Sequence, residues 1–223
     1  MRALALAEDE MQAISEFLEK GGFFMYVNLL CSVVAIAIIV DRAIFFLVKA
    51  SVNARAFLEQ IRKLVLANNV DRAVKLCSAT GAPVAHVAKA ALQRVHRGEL
   101  AIAQGIEETL VDVAPMLKKR VQVLWSIANI ATLIGLLGTV AGLIKSFGAV
   151  AAAKPEERTA VLSEGISEAL NNTAMGLSIA VACIIAHAFF SAASKKQVSD
   201  LEGFAMKLEN LLAESSKGGV AQG

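Results

Sequence analysis

Aromatic residues are scarce in this chain: Phe, Tyr and Trp together make up 5% of 223 residues, although 56% are hydrophobic. Its apolar content is mainly Ala, Leu, Val and Ile, which suits helices better than a lipid-facing β-barrel with aromatic girdles. Cysteine is nearly missing. Cys31, Cys77 and Cys183 have no close pairing and no CxxC spacing, so neither a disulfide framework nor a zinc site is supported, and each reads as a small buried thiol. His86, His96 and His187 have no carboxylate or cysteine at ligand spacing, and no metal is expected. No P-loop, dinucleotide fingerprint, HExxH helix or GxSxG turn occurs, so the chain is not expected to be an enzyme or to hold a cofactor. The net charge of +2 is not gathered into one basic domain and gives no sign of a nucleic-acid partner. A basic signal-peptide start is missing too, since Glu8, Asp9, Glu10, Glu16 and Glu19 precede the first apolar run.

What is present is uncharged length. A helix needs ~20 apolar residues to cross a bilayer. Residues 21–40, continuing past Asp41 and Arg42 to 48, meet that need, as do 121–144 and 169–194. Backbone groups in hydrocarbon must pair within their own segment, so these runs are expected to be α-helices. The predicted fold class is an all-α membrane protein with three transmembrane helices, at 21–48, 121–148 and 164–194.

Lys and Arg near the span ends set the expected orientation. Arg42, Lys49, Arg55, Arg62 and Lys63 follow the first span, Lys118, Lys119 and Arg120 precede the second, and Lys195 and Lys196 follow the third. The 49–120 loop and the 195–223 tail are therefore expected in the cytoplasm, with the 1–20 segment and a short 149–163 connection outside. The loop reads as folded, because Phe57, Ile61, Leu64 and Val65 fall at helical spacing, as do Val84, Val87, Ala91, Leu92 and Val95. "SATGAP" (78–83) between them is a turn. Ile102, Ile106, Leu110, Leu117, Val121 and Leu124 predict one long helix running into the second span, disturbed at Pro115. Leu201, Phe204, Leu208, Leu211 and Leu212 extend the third span likewise, before a "SSKGGVAQG" end expected to be disordered. So thin a chain cannot enclose a pathway alone, and a homo-oligomer is expected.

Two constellations stand out. In "IANIATLIGLLGTVAGLIKSF" (127–147), Ala131, Gly135, Gly138 and Gly142 share one helix face and read as a packing interface for a neighbouring helix. Thr139 beside them either bonds back to its own helix or faces water. In the third span Glu164, Glu168 and Asn172 are four apart, and Asn171 lies three beyond Glu168, forming a polar stripe. Carboxylates are expensive near lipid. Glu164 reads as a headgroup-level residue, and Glu168 with Asn172 as the wall of a water-filled cavity. Thr173 lies about 140° round from Glu168 on an ideal wheel and so is expected on a different surface unless subunit packing joins them.

"LIGLLGTVAGLIKSF" followed by "GISEALNNTAMGLSIAVA" resembles the paired signatures of the MotA/TolQ/ExbB proton-channel family, and most closely its three-span TolQ/ExbB branch. The "DR" at 41–42 ending the first span fits as well. The resemblance implies a pentameric ring of this chain in the bacterial inner membrane, around the single spans of two copies of a TolR/ExbD-type partner. The partner's membrane Asp would carry protons, and the complex would be a stator powered by the proton motive force. Thr139, Thr173 and Glu168 match the family's motif positions, and with Asn172 they form the expected ion pathway. Two departures, Thr132 and Ala182 where relatives often have proline, imply straighter helices here, and Lys145, an unusual cation near the outer end of the second span, reads either as an anchor or as a partner for Glu164 or Glu168. A non-conducting membrane scaffold and a transporter permease subunit are the competing readings.

Overall fold

The computed structural model describes residues 22–49, 54–67 and 69–220, so the 1–20 segment lies outside the described residues. The long apolar runs are helical, as backbone pairing in hydrocarbon demands. Helix α1 is Gly22–Ile44 and widens into a π-helical stretch at Phe45–Lys49. Four shorter helices follow: α2 (Ala54–Leu66), α3 (Val70–Ser78), α4 (Pro83–Leu92) and α5 (Glu99–Lys118). Then come α6 (Val121–Ala152) and α7 (Arg158–Val220). Three stretches are long and apolar enough to cross a membrane. Leu30, Val33 and Ile36 on α1, Leu133, Leu136 and Ile144 on α6, and Val181 and Ile185 on α7 are exposed, forming an apolar surface suited to lipid.

The chain divides into two compact units. Among the described residues, one takes 22–39 together with Gln122–Ala188. Its core is built mostly from small groups: Ala35 of α1 packs with Ile127, Ala128 and Ala131 of α6 and with Ile179, Ala180 and Cys183 of α7. Small side chains let backbones approach where lipid supplies no hydrophobic drive.

The other unit takes Val40–Val121 and Phe189 onward. The helical spacings in the sequence become its core: Phe57, Ile61 and Val65 from α2, Val84, Val87, Ala91 and Leu92 from α4, Ile102, Ile106 and Leu117 from α5. Leu201, Phe204, Leu208 and Leu212 of α7 complete it. "SATGAP" ends α3 and starts α4, with Pro83 in the first helical turn, where its missing N–H costs nothing. Cys77 is buried in this core, and burial pushes its thiol up to about 11. Native Cys77 should therefore resist alkylation at pH 8 and react once the chain is denatured, a contrast read by mass spectrometry. The sign for stability follows. The folded thiol keeps its proton where the unfolded thiol, with its ordinary value near 9.0, loses it. Its contribution is full below that value and fades as pH rises toward about 11.

Three boundaries differ from the sequence expectation. Pro115 lies inside α5, and the long helix breaks instead after Lys118, where Lys119 turns extended and Arg120 takes a φ of +65°. That left-handed conformation costs a non-glycine residue about 1–2 kcal/mol. The "DR" pair holds it. Buried Arg42 donates to the Lys119 carbonyl at 3.0 Å, and Asp41 accepts from Arg42 at 2.9 Å and from Arg120 at 2.8 Å. Arg42→Ala should lower the stability of the detergent-solubilised chain by about 2 kcal/mol, the value of a hydrogen bond to a charged group, measured by thermal or denaturant unfolding. Second, the connection between α6 and α7 is only 153–157, because the alanine-rich stretch before it continues the helix. Third, "SSKGGVAQG" does not begin a disordered end: α7 stays helical through Val220, and 221–223 lie outside the described residues.

Candidate ion-pathway site

Glycine decides where the site forms. The Ala131/Gly135/Gly138/Gly142 face of α6 lies against α7 of the same chain. A Cβ on Gly135 would meet the Asn172 carbonyl oxygen at 3.0 Å and the Thr173 Cα at 3.3 Å. One on Gly138 would meet the Asn172 side chain at 2.9 Å, and one on Gly142 the Ala169 side chain at 3.1 Å. Gly176 answers from α7, where a Cβ would stand 2.6 Å from the Ala131 carbonyl oxygen and 3.1 Å from the Gly135 Cα. The sequence reading expected this face to need a neighbouring helix. It is satisfied inside one chain, so it supplies no argument for a ring.

This close approach brings the two threonines together. The Thr139 hydroxyl contacts the Thr173 hydroxyl directly and lies 3.2 Å from the Gly135 carbonyl oxygen and 3.1 Å from that of Ala169. The Thr173 hydroxyl also reaches the Gly135 carbonyl oxygen, at 3.3 Å. Each hydroxyl has one proton and can also accept. One threonine can thus donate to the other while the second donates to a backbone carbonyl, and the order can reverse. Thr139 makes the back-bond to its own helix that the sequence allowed and also meets Thr173, a contact the sequence did not indicate.

The polar stripe of α7 divides. Glu168, half-buried, lies 3.4 Å from the Lys145 ammonium of α6, and its Oε1 stands close against Gly22 at the start of α1. Glu164 is exposed. Asn172 turns inward: it is buried over Gly138, and its amide donates to the Glu168 carbonyl oxygen at 3.2 Å. Thr173 therefore faces Thr139, and Glu168 faces Lys145, within one helix pair.

Lys145, which the sequence left as an anchor or a partner for Glu164 or Glu168, is the countercharge of Glu168. Two features escaped the sequence reading. The 41–42 pair holds the break between α5 and α6. Asn28 of α1 is fully buried, with neither amide atom hydrogen-bonded among the described residues. A polar residue inside the first apolar run was the available signal for it.

Residues 79–203 match the model of the MotA/TolQ/ExbB proton channel family. The chain is 28% identical over 166 residues to a putative biopolymer transport protein, ExbB-like 3, of Synechocystis, covering 74% of this chain and 79% of the relative. It is 26% identical over 200 residues to biopolymer transport protein exbB1 of Vibrio cholerae, covering 86% and 85%. A shorter match, 33% over 87 residues, joins it to the Tol-Pal system protein TolQ of Pseudomonas aeruginosa, covering 39% and 37%.

Proposed function

Because the chain belongs to the MotA/TolQ/ExbB proton channel family, in its ExbB/TolQ branch, we propose that it forms the channel wall of an inner-membrane complex driven by the proton motive force. Its partner in this reading is a TolR/ExbD-type protein with one span and a membrane Asp, two copies standing inside a pentamer of this chain. The distribution of Lys and Arg supports an outside amino terminus and a cytoplasmic loop and carboxyl tail.

The observation that carries the reading is the Thr139–Thr173 hydroxyl pair held on the Gly135 and Ala169 carbonyls. A carboxylate arriving on a partner helix is an acceptor only, and either hydroxyl can swing its proton from a backbone carbonyl to that carboxylate. Charge-assisted bonds are stronger than the neutral bonds they replace, so the charged partner is held. Protonation removes that advantage, the hydroxyls return to their own backbone, and the partner helix is free to turn. Glu168 and Lys145 stand at the outer end of this route, where the carboxylate would pass protons toward the threonines. Asn172 supports the route from within the chain.

The scaffold reading is favoured by one observation, that both hydroxyls already have partners in their own chain. Proton uptake separates the two. Chain and partner reconstituted into vesicles should take up protons under an imposed potential. Glu168→Gln should cut the rate severely, while the exposed Glu164→Gln leaves it near wild type. Equal silence of both variants would remove Glu168 from the pathway, and uptake that does not need the partner would overturn the partner Asp as carrier.

A further inference from the structure

Asn28 lies where the three spanning helices converge. One turn before it on α1, the Phe24 Cβ stands 3.1 Å from the place a Cβ on Gly138 would take, and the Asn172 side chain stands 2.9 Å from the same place. About two turns after it, Ala35 packs on Ala128 and Ala131 of α6 and Ile179 and Ala180 of α7. Cys31 and Met175 pack against that same cluster. On α7, Gly22 of α1 lies against Glu168, and Phe24 lies level with Asn172. The register therefore sets Asn28 opposite the stretch of α7 from Asn172 to Met175, at the level where Gly135 and Gly176 bring the α6 and α7 backbones closest.

At 0% exposure, Asn28 is sealed within a single chain, so neither lipid nor a second subunit reaches it. Its two amide N–H groups and its carbonyl oxygen have no hydrogen-bond partner among the described residues. Burying an amide unpaired costs about 1–3 kcal/mol on mutational scales, and a buried water typically makes about three bonds to such groups. We propose that Asn28 holds an ordered water molecule inside each subunit, between the three helices, and that this water links Asn28 to Asn172.

The site is closed within one chain and is distinct from any lumen between chains. Asn28 acts as a positioning residue. It anchors the water against the amide that bonds the Glu168 carbonyl oxygen, which ties α1 to the turn of α7 carrying Glu168 and Thr173. This inference stands on the packing of one chain and does not depend on the proton-channel reading.

The sequence supplies its own reporter, because Met25 sits three residues before Asn28, on the same helix face, and is fully buried. Brief X-ray radiolysis of the detergent-solubilised full chain makes hydroxyl radicals from bound as well as bulk water. Peptide mass spectrometry then reads methionine oxidation. Met25 should be oxidised on the timescale of the exposed Met206 despite its burial. Asn28→Leu, similar in shape and unable to hold water, should abolish Met25 oxidation and leave Met206 unchanged. Should Asn28→Leu fail to insert, Asn28→Val carries the same comparison. Met25 protected in the wild-type chain would overturn the proposal without any variant, because Asn28 would then be paired with protein. Met25 oxidation that persists without the amide would overturn it as well. Proton uptake by the same chains, reconstituted with the partner into vesicles, is a separate readout, so absent flux with the expected labelling would count against the channel reading alone.

Discussion

Thr139→Val combined with Thr173→Val is expected to stop proton-driven work in the reconstituted complex while the chain stays folded. The two hydroxyls touch one another and share the Gly135 carbonyl, so either alone can cover part of the other's role, and the double variant is the informative one. Valine nearly preserves volume. Hydrogen bonds between spanning helices average about 0.6 kcal/mol and reach at most ~1.7, because the chain finds other partners in the membrane. Tight packing over the glycines should therefore keep α6 and α7 together. A bond from a hydroxyl to a charged carboxylate is worth about 1.5–3 kcal/mol, so its loss shifts the carrier equilibrium about ten- to hundredfold. Proton uptake and native mass should be measured on one preparation. Intact assembly with collapsed flux supports the route through the threonines. Assembly that loosens while the remaining complexes conduct normally makes these two hydroxyls interhelical glue and leaves the channel reading resting on family membership alone.

Gly176→Leu should damage the protein more deeply, removing folded chain instead of function alone. Even the first carbon added there would stand 2.6 Å from the Ala131 carbonyl oxygen and 3.1 Å from the Gly135 Cα. Both are backbone atoms and cannot rotate away. The helices must separate, with a cost of at least the ~1–3 kcal/mol typical of overpacking, and the threonine pair parts with them. Gly138→Leu should act in the same direction and more mildly, since its nearest contacts are side-chain atoms of Asn172. Gly148→Leu is the control, because a Cβ there meets nothing within 4 Å. Detergent-solubilised yield and thermal aggregation should follow the order 176, 138, 148. A Gly176→Leu chain that folds normally and only fails to oligomerise would return this glycine face to a subunit interface.

The order of these effects separates what is local from what is not. The spans, their helical state and the buried faces of α2, α4 and α5 could be read from residue spacing, because lipid and core packing each act on a helix one turn at a time. The family's signatures were legible for the same reason, being contiguous strings. Ala131, Gly135, Gly138 and Gly142 announce that a backbone comes close, yet nothing in their spacing says whose. The fold assigns α7 of the same chain.

A helical wheel shows the angle between Glu168 and Thr173 on one helix, but not the rotation of α6 that sets Lys145 before the first and Thr139 before the second. Pro115 could be identified as a helix breaker, but the break fell at Lys119 and Arg120, where Asp41 and Arg42, remote in sequence, hold the turn. Asn28 is the limiting case: one amide in an apolar run, given meaning only by its complete burial in the folded chain. The sequence by itself determined which surfaces must be covered. Only the tertiary structure decided what covers them, because the cost of exposing a group belongs to the residue and the identity of its partner belongs to the packing of whole helices.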